Sequence, residues 1–410
     1  MIRLWLAAFC SETGEWMLQI ALPVLVFQAT GSVASTAAMM VVGLLPGVLL
    51  SPVTGVVADR VRRPRLLLLV CLGQAAVAAP LLADEAMCWL VMAAQTCLAA
   101  FFEPARNALV ADLVPADRRT SANGALAAGS NIARLVGAWL GGVLLTVGGV
   151  PLVYVVYAAI LVTGALAMLG RFPHAAPRPP SHPVRDWLDG LADIRRDRRL
   201  WTIGAAVVLL AVAQGIFLVR YVPFVLDSLH AGASGVGLLR GVQAIGGLVA
   251  GFALATVARR CTPDRLLSVG AVCFGVLSAV IWHGPGVTTA LGVYIGLFSA
   301  VGAPGVVIGT GIAGVLQTAV PAAATGRLVA TAFAAMTLGN VCGMVLAGAV
   351  ESPVLLDVQW LLLVAAGALL LAHQHRDRRR DARRAGGAGR EPAQLHTREQ
   401  RDDRAGQHVR

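Results

Sequence analysis

Twelve stretches of about 20 predominantly apolar residues, separated by short polar breaks, run the length of this chain. They fall near 4–27, 34–57, 66–82, 87–110, 122–147, 150–170, 200–226, 234–258, 265–283, 287–311, 328–349 and 353–372. Such a segment crosses a bilayer as a helix, because a helix satisfies its backbone N–H and C=O groups from within. Composition agrees: 57% of the 410 residues are hydrophobic and 13% are charged, against about a quarter charged in a soluble domain. So few charges cannot cover a water-facing surface. The expected fold is an all-α polytopic membrane protein. Glu12 and Glu15 interrupt the first apolar run, and no small-residue cleavage site follows it, so it is read as a span and not as a signal peptide.

The net charge is +11 and every basic side chain other than His is Arg. These arginines cluster in alternate connections. Arg60, Arg62, Arg63 and Arg65 form one group, Arg118 and Arg119 a second, and seven between 171 and 199 a third; Arg259, Arg260, Arg265, Arg327 and the tail follow. The opposite connections, near 28–33, 83–86, 148–150, 227–233, 284–286 and 350–352, contain none. By the positive-inside rule both termini are cytoplasmic, and an Ala-, Gly- and Arg-heavy composition points to a bacterial inner membrane. The same distribution leaves no basic groove for nucleic acid. Without Lys there is neither a Walker A loop nor a Schiff-base amine. The seven Cys are scattered singly, most of the His lie in linkers or the tail, and no HExxH occurs, so no metal or other cofactor is assigned.

The chain divides into halves at 1–170 and 200–375. Between them, Val184, Trp187, Leu188, Leu191 and Ile194 recur at helical spacing within a Pro- and Arg-rich linker, 171–199, which predicts a short helix on the cytoplasmic surface. Residues 376–410 are Arg-, Asp- and Gly-rich and are expected to be disordered, serving either as a solvated anchor or in contact with phospholipid. The halves echo each other: Gly55 to Arg65 closes the second span as Gly251 to Arg265 closes the eighth, and Val114-Pro115 follows the fourth as Val320-Pro321 follows the tenth. Both offsets are about 200 residues, the signature of duplicated six-helix halves.

Gly55-x-x-x-Asp59-Arg60-x-x-Arg63 resembles the loop motif between helices 2 and 3 of the major facilitator superfamily. Gly14-Glu15-Trp16 with Ala21-Leu22-Pro23, Phe102-Glu103-Pro104-Ala105-Arg106, Asp112-Leu113-Val114-Pro115, and the run from Leu316-Gln317 to Gly326-Arg327 resemble its exporter branch of enterobactin and macrolide efflux proteins. The resemblance covers roughly residues 2–372. It implies twelve helices, alternating access and export by proton antiport. Glu15 stands where that branch commonly has Asp, which keeps the carboxyl. The Gly-Pro-x-x-Gly-Gly of many antiporters reads Gly137-Ala138-Trp139-Leu140-Gly141-Gly142 here, with glycines suited to helix packing but without the Pro.

Ionisable groups at membrane depth carry the most chemistry, since a charge at a helix centre costs roughly 2.5–3.5 kcal/mol. Helix 1 beginning near Leu4 puts Glu12 and Glu15 about 12 and 17 Å deep at 1.5 Å per residue. With Gln19 they follow i, i+3, i+7 and share one face, which must look into a cavity. Burial disfavours a charged carboxylate, so Glu15, and Glu12 nearer the cytoplasm, are candidate proton carriers. The alternative is a permanent ion pair with Arg134 of helix 5. A pair broken by protonation would combine the two.

In helix 7, Phe217, Arg220, Tyr221 and Phe224 recur at 0, 3, 4 and 7. They form either a substrate-facing wall, shared with Arg240 of helix 8 and suited to an acidic or polar-aromatic molecule, or a packing stripe with arginines snorkelling to the surface. Asp59 with Arg60 and Arg63 is a candidate gate at the cytoplasmic mouth, and Glu103 with Arg106 a structural pair on helix 4. Glycines at 292, 296, 302, 305, 309 and 311, with Pro304, suit helix 10 to close packing and bending.

The expected function is therefore secondary active transport, as proton-coupled efflux of a small organic molecule such as a drug, antibiotic or siderophore-like compound. A proton-coupled importer of the same fold is the alternative, and a non-transporting membrane sensor lacks a soluble module. No catalytic spacing marks an enzyme. The expected partners are a small-molecule substrate, protons and membrane lipid, for a monomer or weak oligomer.

Overall fold

The computed structural model describes residues 1–115, 118–170, 172, 198–257, 261–318, 322–350 and 352–388. Among them the chain is helical throughout its length, with no strand. The spans are α1 (Ile2–Thr30), α2 (Val33–Val42 and Leu45–Arg60), α3 (Arg63–Val77) and α4 (Cys88–Ala99 and Phe102–Leu113). The long helix Arg119–Ala167 bends at Gly149 and supplies α5 before the bend and α6 after it. The second half holds α7 (Arg198–Pro223), α8 (Gly232–Val257), α9 (Pro263–His283), α10 (Leu291–Thr318), α11 (Ala322–Ala349) and α12 (Val354–Ala388).

Each break has a local cause. Gly149 adopts φ +63°, open to glycine without a Cβ clash, and Pro151 removes a donor from the next turn. Gly31, also left-handed, caps α1, and the Ser32 hydroxyl accepts from the Ser35 N–H at 3.2 Å to start α2. Pro46 falls in the first turn of the second α2 segment, where a missing donor is harmless.

Ten helical stretches among the described residues are long and apolar enough to cross a membrane. They leave out α1, which carries Arg3, Glu12 and Glu15, and count the bent Ser121–Ala167 once although its 47 residues suffice for two crossings. With both taken into account, the helices accommodate the twelve expected spans. Large apolar side chains such as Leu69, Leu90, Val147, Val155, Phe252 and Val287 stand exposed on the outer surface, as lipid-facing positions should.

The packing repeats with a shift of six helices. Helix α1 packs on α5 and α6 as α7 packs on α11 and α12, α3 packs on α4 and α6 as α9 packs on α10 and α12, and α2 packs on α4 as α8 packs on α10. The two most extensive contacts between the halves are α5 with α8 and α2 with α11, and the same shift exchanges them. Pseudo-symmetric six-helix halves are thus visible in the packing as well as in the sequence.

The α2–α11 contact between the halves lies at the end opposite the chain termini. There Ala37 of α2 meets Ile216, Met344 and Ala347 in one apolar cluster, and a Cβ on Gly348 would stand 2.7 Å from that of Ala37. At the termini end an open cleft of about 460 Å³ is lined by Arg106, Asn107, Arg119, Asn123, Ser130 and Asn131, among others. The linker amphipathic residues lie outside the described residues. The final helix continues to Ala388, into the segment expected to be disordered; residues 389–410 are outside the described residues.

Candidate functional site

Helix α1 is sorted by its neighbours. Cβ atoms on Gly137 and Gly141 of α5 would overlap the carbonyl oxygens of Thr13 and Met17, so these glycines let two backbones touch. On another side Gly14 meets the Tyr157 ring of α6. Thr13, Gly14, Met17 and Leu18 are consequently buried, whereas Trp5, Phe9, Glu12, Glu15, Trp16 and Gln19 are half-exposed along one stripe. That stripe faces other helices and not lipid: Glu12 meets α4, and Trp16 meets α5 and α8.

The two carboxylates are treated differently. Glu12 forms an ion pair with Arg106 of α4, both side chains being largely buried at 17% and 14% exposure. Arg106 touches Glu103 only at 3.5 Å, and Glu103 is exposed. The expected Glu103–Arg106 pair therefore exists, but the stronger contact runs across the bundle to Glu12. Glu15 accepts a hydrogen bond from Gln19 Nε2 at 2.9 Å. No ion pair joins Glu15 to a cation among the described residues, and Arg134 does not reach it in this conformation.

Arg134 turns instead toward the second half. It lies midway along α5, and its Nη2 donates to Gln243 Oε1 of α8 at 3.1 Å. Arg240, one turn before Gln243, donates from Nη1 to the same oxygen at 3.0 Å. Both guanidinium groups lie over the Trp16 ring, at 4.9 and 5.7 Å from its centroid, and Arg240 also lies 5.6 Å from that of Phe217. Such cation–π contacts offset part of the cost of removing a guanidinium from water. Two like charges here share one neutral acceptor, and Arg134 Nε and Gln243 Nε2 are buried without a partner in the structure. Gln243 is not marked by any sequence motif, and Trp16 stands out in the sequence only as part of Gly14-Glu15-Trp16. The i, i+3 spacing from Arg240 and the adjacency to Glu15 were the available signals.

The helix 7 stripe has a different surrounding. Phe217, Tyr221 and Phe224 are 2%, 2% and 5% exposed and pack with Trp282, Tyr294 and Phe298. The Tyr221 hydroxyl donates to the Val236 carbonyl at 2.5 Å. In this conformation the rings are packed into an apolar cluster that also includes Ile20, Val24 and Phe27 of α1. Arg220 donates to the Val350 carbonyl near the end opposite the termini. Gly142, unlike Gly137 and Gly141, packs across the halves against Ala233 of α8.

At the termini end, Gly55, Asp59 and Arg60 occupy the last turns of α2. The Asp59 side chain, on which the gating reading turned, is outside the described residues. Arg60 is exposed. Arg63 is buried and ion-paired with Asp112 at the end of α4, a tie that the sequence reading did not foresee. In α10, Gly302 fits against the Gln243 carbonyl and Gly311 against Leu267, but Gly292, Gly296, Gly305 and Gly309 have open space around them. The helix runs unbroken through Pro304.

The fold is shared with solved transporters. The crystal structure of a bacterial homologue of the iron transporter ferroportin, in its inward-facing state, superimposes with a TM-score of 0.72 at 14% identity, covering 90% of this chain and 97% of that one. In sequence, the uncharacterised MFS-type transporter YfiS of Bacillus subtilis (strain 168) is 24% identical over 388 residues, 88% of this chain and 90% of its own length. A second from the same organism, YfmI, is 24% identical over 237 residues and is matched over 57% of its length. The Major Facilitator Superfamily family model matches residues 4–344, most of the membrane-spanning length, and on that ground the chain belongs to the Major Facilitator Superfamily.

Proposed function

We propose that this membrane transporter is a secondary active exporter, coupling proton entry at Glu15 to the efflux of a small organic molecule. The observation that carries the reading is the state of Glu15. It sits at membrane depth on the inward-looking face of α1 and accepts from neutral Gln19, with no ion pair among the described residues. A carboxyl so placed gains or loses a proton without first breaking an ion pair. Glu12, held by Arg106, is the structural member of the two.

The arginine alternation supports cytoplasmic termini in a bacterial inner membrane. On that orientation the cleft at the termini end opens to the cytoplasm, and the packed α2–α11 end seals the periplasmic side. This is the state in which an exporter loads. Resemblance of the Glu15, Glu103–Arg106 and Asp112–Pro115 motifs to enterobactin and macrolide exporters favours export over import.

The test is transport by Glu15→Gln in everted vesicles carrying an imposed proton gradient. Gradient-driven dye movement should vanish while substrate exchange without a gradient persists. Full gradient-driven transport by the variant would remove Glu15 from the mechanism. Greater dye accumulation in cells that make the protein than in cells that lack it would reverse the direction.

A further inference from the structure

We infer that Arg134, Arg240 and Gln243 form a recognition site for an anionic group of the transported molecule, with Trp16 as the platform for its planar part. This rests on the reading of the chain as a small-molecule transporter and assigns the substrate class.

Both guanidinium groups are fixed by the same oxygen, Gln243 Oε1, at 3.1 and 3.0 Å. Their donor nitrogens therefore lie within about 6 Å of one another, close enough for one carboxylate, sulfonate or phosphate to accept from both. A buried charge is normally paired with an opposite charge. Here no carboxylate lies within ion-pair distance of either arginine among the described residues, because Glu12 is held by Arg106 and Glu15 by Gln19. The pair is thus two positive charges with no anion supplied by the described protein.

Unused donors point the same way. Arg134 Nε and Gln243 Nε2 are buried donors without a protein partner among the described residues, and a bound anion would supply acceptors for them. The site sits at the junction of the halves, with Arg134 from α5 and the other two groups from α8, so an anion held there touches both moving bodies. The open cleft at the termini end extends to Asn131, one turn before Arg134 on α5, and an anion would have to pass beyond that lining to reach the pair. Trp16 lies under both guanidinium groups and is itself half-exposed, leaving ring surface for stacking.

The test is equilibrium binding to the purified full chain in detergent, where no gradient is required. The probes are fluorescein, phenyl phosphate and naphthalenesulfonate as planar anions, with rhodamine 6G as a planar cation. At least one anion should bind, and rhodamine 6G should bind at least tenfold more weakly. Arg240→Gln and Arg134→Gln should each weaken the anion at least tenfold, whereas Arg240→Lys should keep part of the affinity in a protein of normal melting temperature. No binding by any of the anions, tighter binding of the cation, or anion affinity within twofold of wild type in a folded Arg240→Gln would each overturn the assignment. Anion binding without movement in proteoliposomes keeps the site and retires the transport reading; movement of cations alone does the reverse.

Discussion

Gly142 of α5 lies directly against the carbonyl of Ala233 at the start of α8, so close that a Cβ on the glycine would overlap that oxygen. Gly237 of α8 returns the contact against Ala138, and Gly241 would bring a Cβ to 2.7 Å from the Leu135 carbonyl. Backbone thus rides on backbone along a glycine seam between the halves, the geometry small residues permit in a membrane. The opposing atoms are main chain and cannot rotate away. Gly142→Val is expected to lower transport at least tenfold and to reduce the melting temperature in detergent. Gly305→Ala, at an α10 position with open space, serves as the control and should be neutral, or more stable by about 0.5–1 kcal/mol through helix propensity. Equal behaviour of the two variants would mean that the seam opens during transport and that its tightness has no role.

How much of this was legible in the sequence depends on the kind of statement. Span positions follow from apolar length, and the repeat follows from the paired Gly55/Gly251 and Pro115/Pro321 offsets, because both are local patterns that the membrane enforces. The polar face of α1 was legible as well, since Glu12, Glu15 and Gln19 recur at helical period. Partners were not. Arg106 lies 94 residues from Glu12, and i, i+3 spacing made Glu103 the nearer choice. Periodicity says which residues share a face but leaves open which way the face turns. Phe217, Tyr221 and Phe224 do share one, and it turns into a buried apolar cluster that takes in Ile20, Val24 and Phe27 of the first half as well as second-half rings. Charge makes Arg134 one candidate partner for Glu15, but its guanidinium reaches Gln243 of the second half.

The Glu12–Arg106 pair is largely buried and joins α1 to α4. Removing one member leaves a charge without its counter-ion, which costs about 3 kcal/mol or more at a buried site. Glu12→Gln and Arg106→Gln are each expected to lower the melting temperature by several degrees. The double variant should recover most of the loss, because two neutral amides leave no orphan charge. Proton-driven transport should survive in the double variant if Glu15 is the carrier. Loss of coupling there, in a folded protein, would move the proton site to Glu12.

Arg63 and Asp112 tie the start of α3 to the end of α4, with side chains 7% and 9% exposed. Asp112→Asn should destabilise the protein by about 1–3 kcal/mol, smaller than full removal because the amide still accepts a hydrogen bond. Transport rate measured against temperature is the check. A variant that transports normally at low temperature and fails sooner on heating indicates a structural tie, whereas a fall in rate at every temperature indicates that the contact breaks and reforms in each cycle.

Gln74 of α3, Gln95 of α4 and Tyr157 of α6 are 0%, 3% and 0% exposed; the Gln74 amide finds no partner among the described residues, and the Gln95 amide has only the Tyr157 hydroxyl beside it. Tyr157 packs on Gly14, the neighbour of Glu15, so this buried polar patch adjoins the proposed proton site. An unsatisfied buried amide costs about 1–3 kcal/mol, and replacing it with an apolar group of similar size relieves that cost. Gln74→Leu and Gln95→Leu should therefore raise the melting temperature. A stability gain with unchanged transport would mark the glutamines as packing residues. A gain accompanied by slower gradient-driven transport, with exchange in the absence of a gradient intact, would mark them as the polar surroundings through which Glu15 receives its proton, kept at the expense of stability.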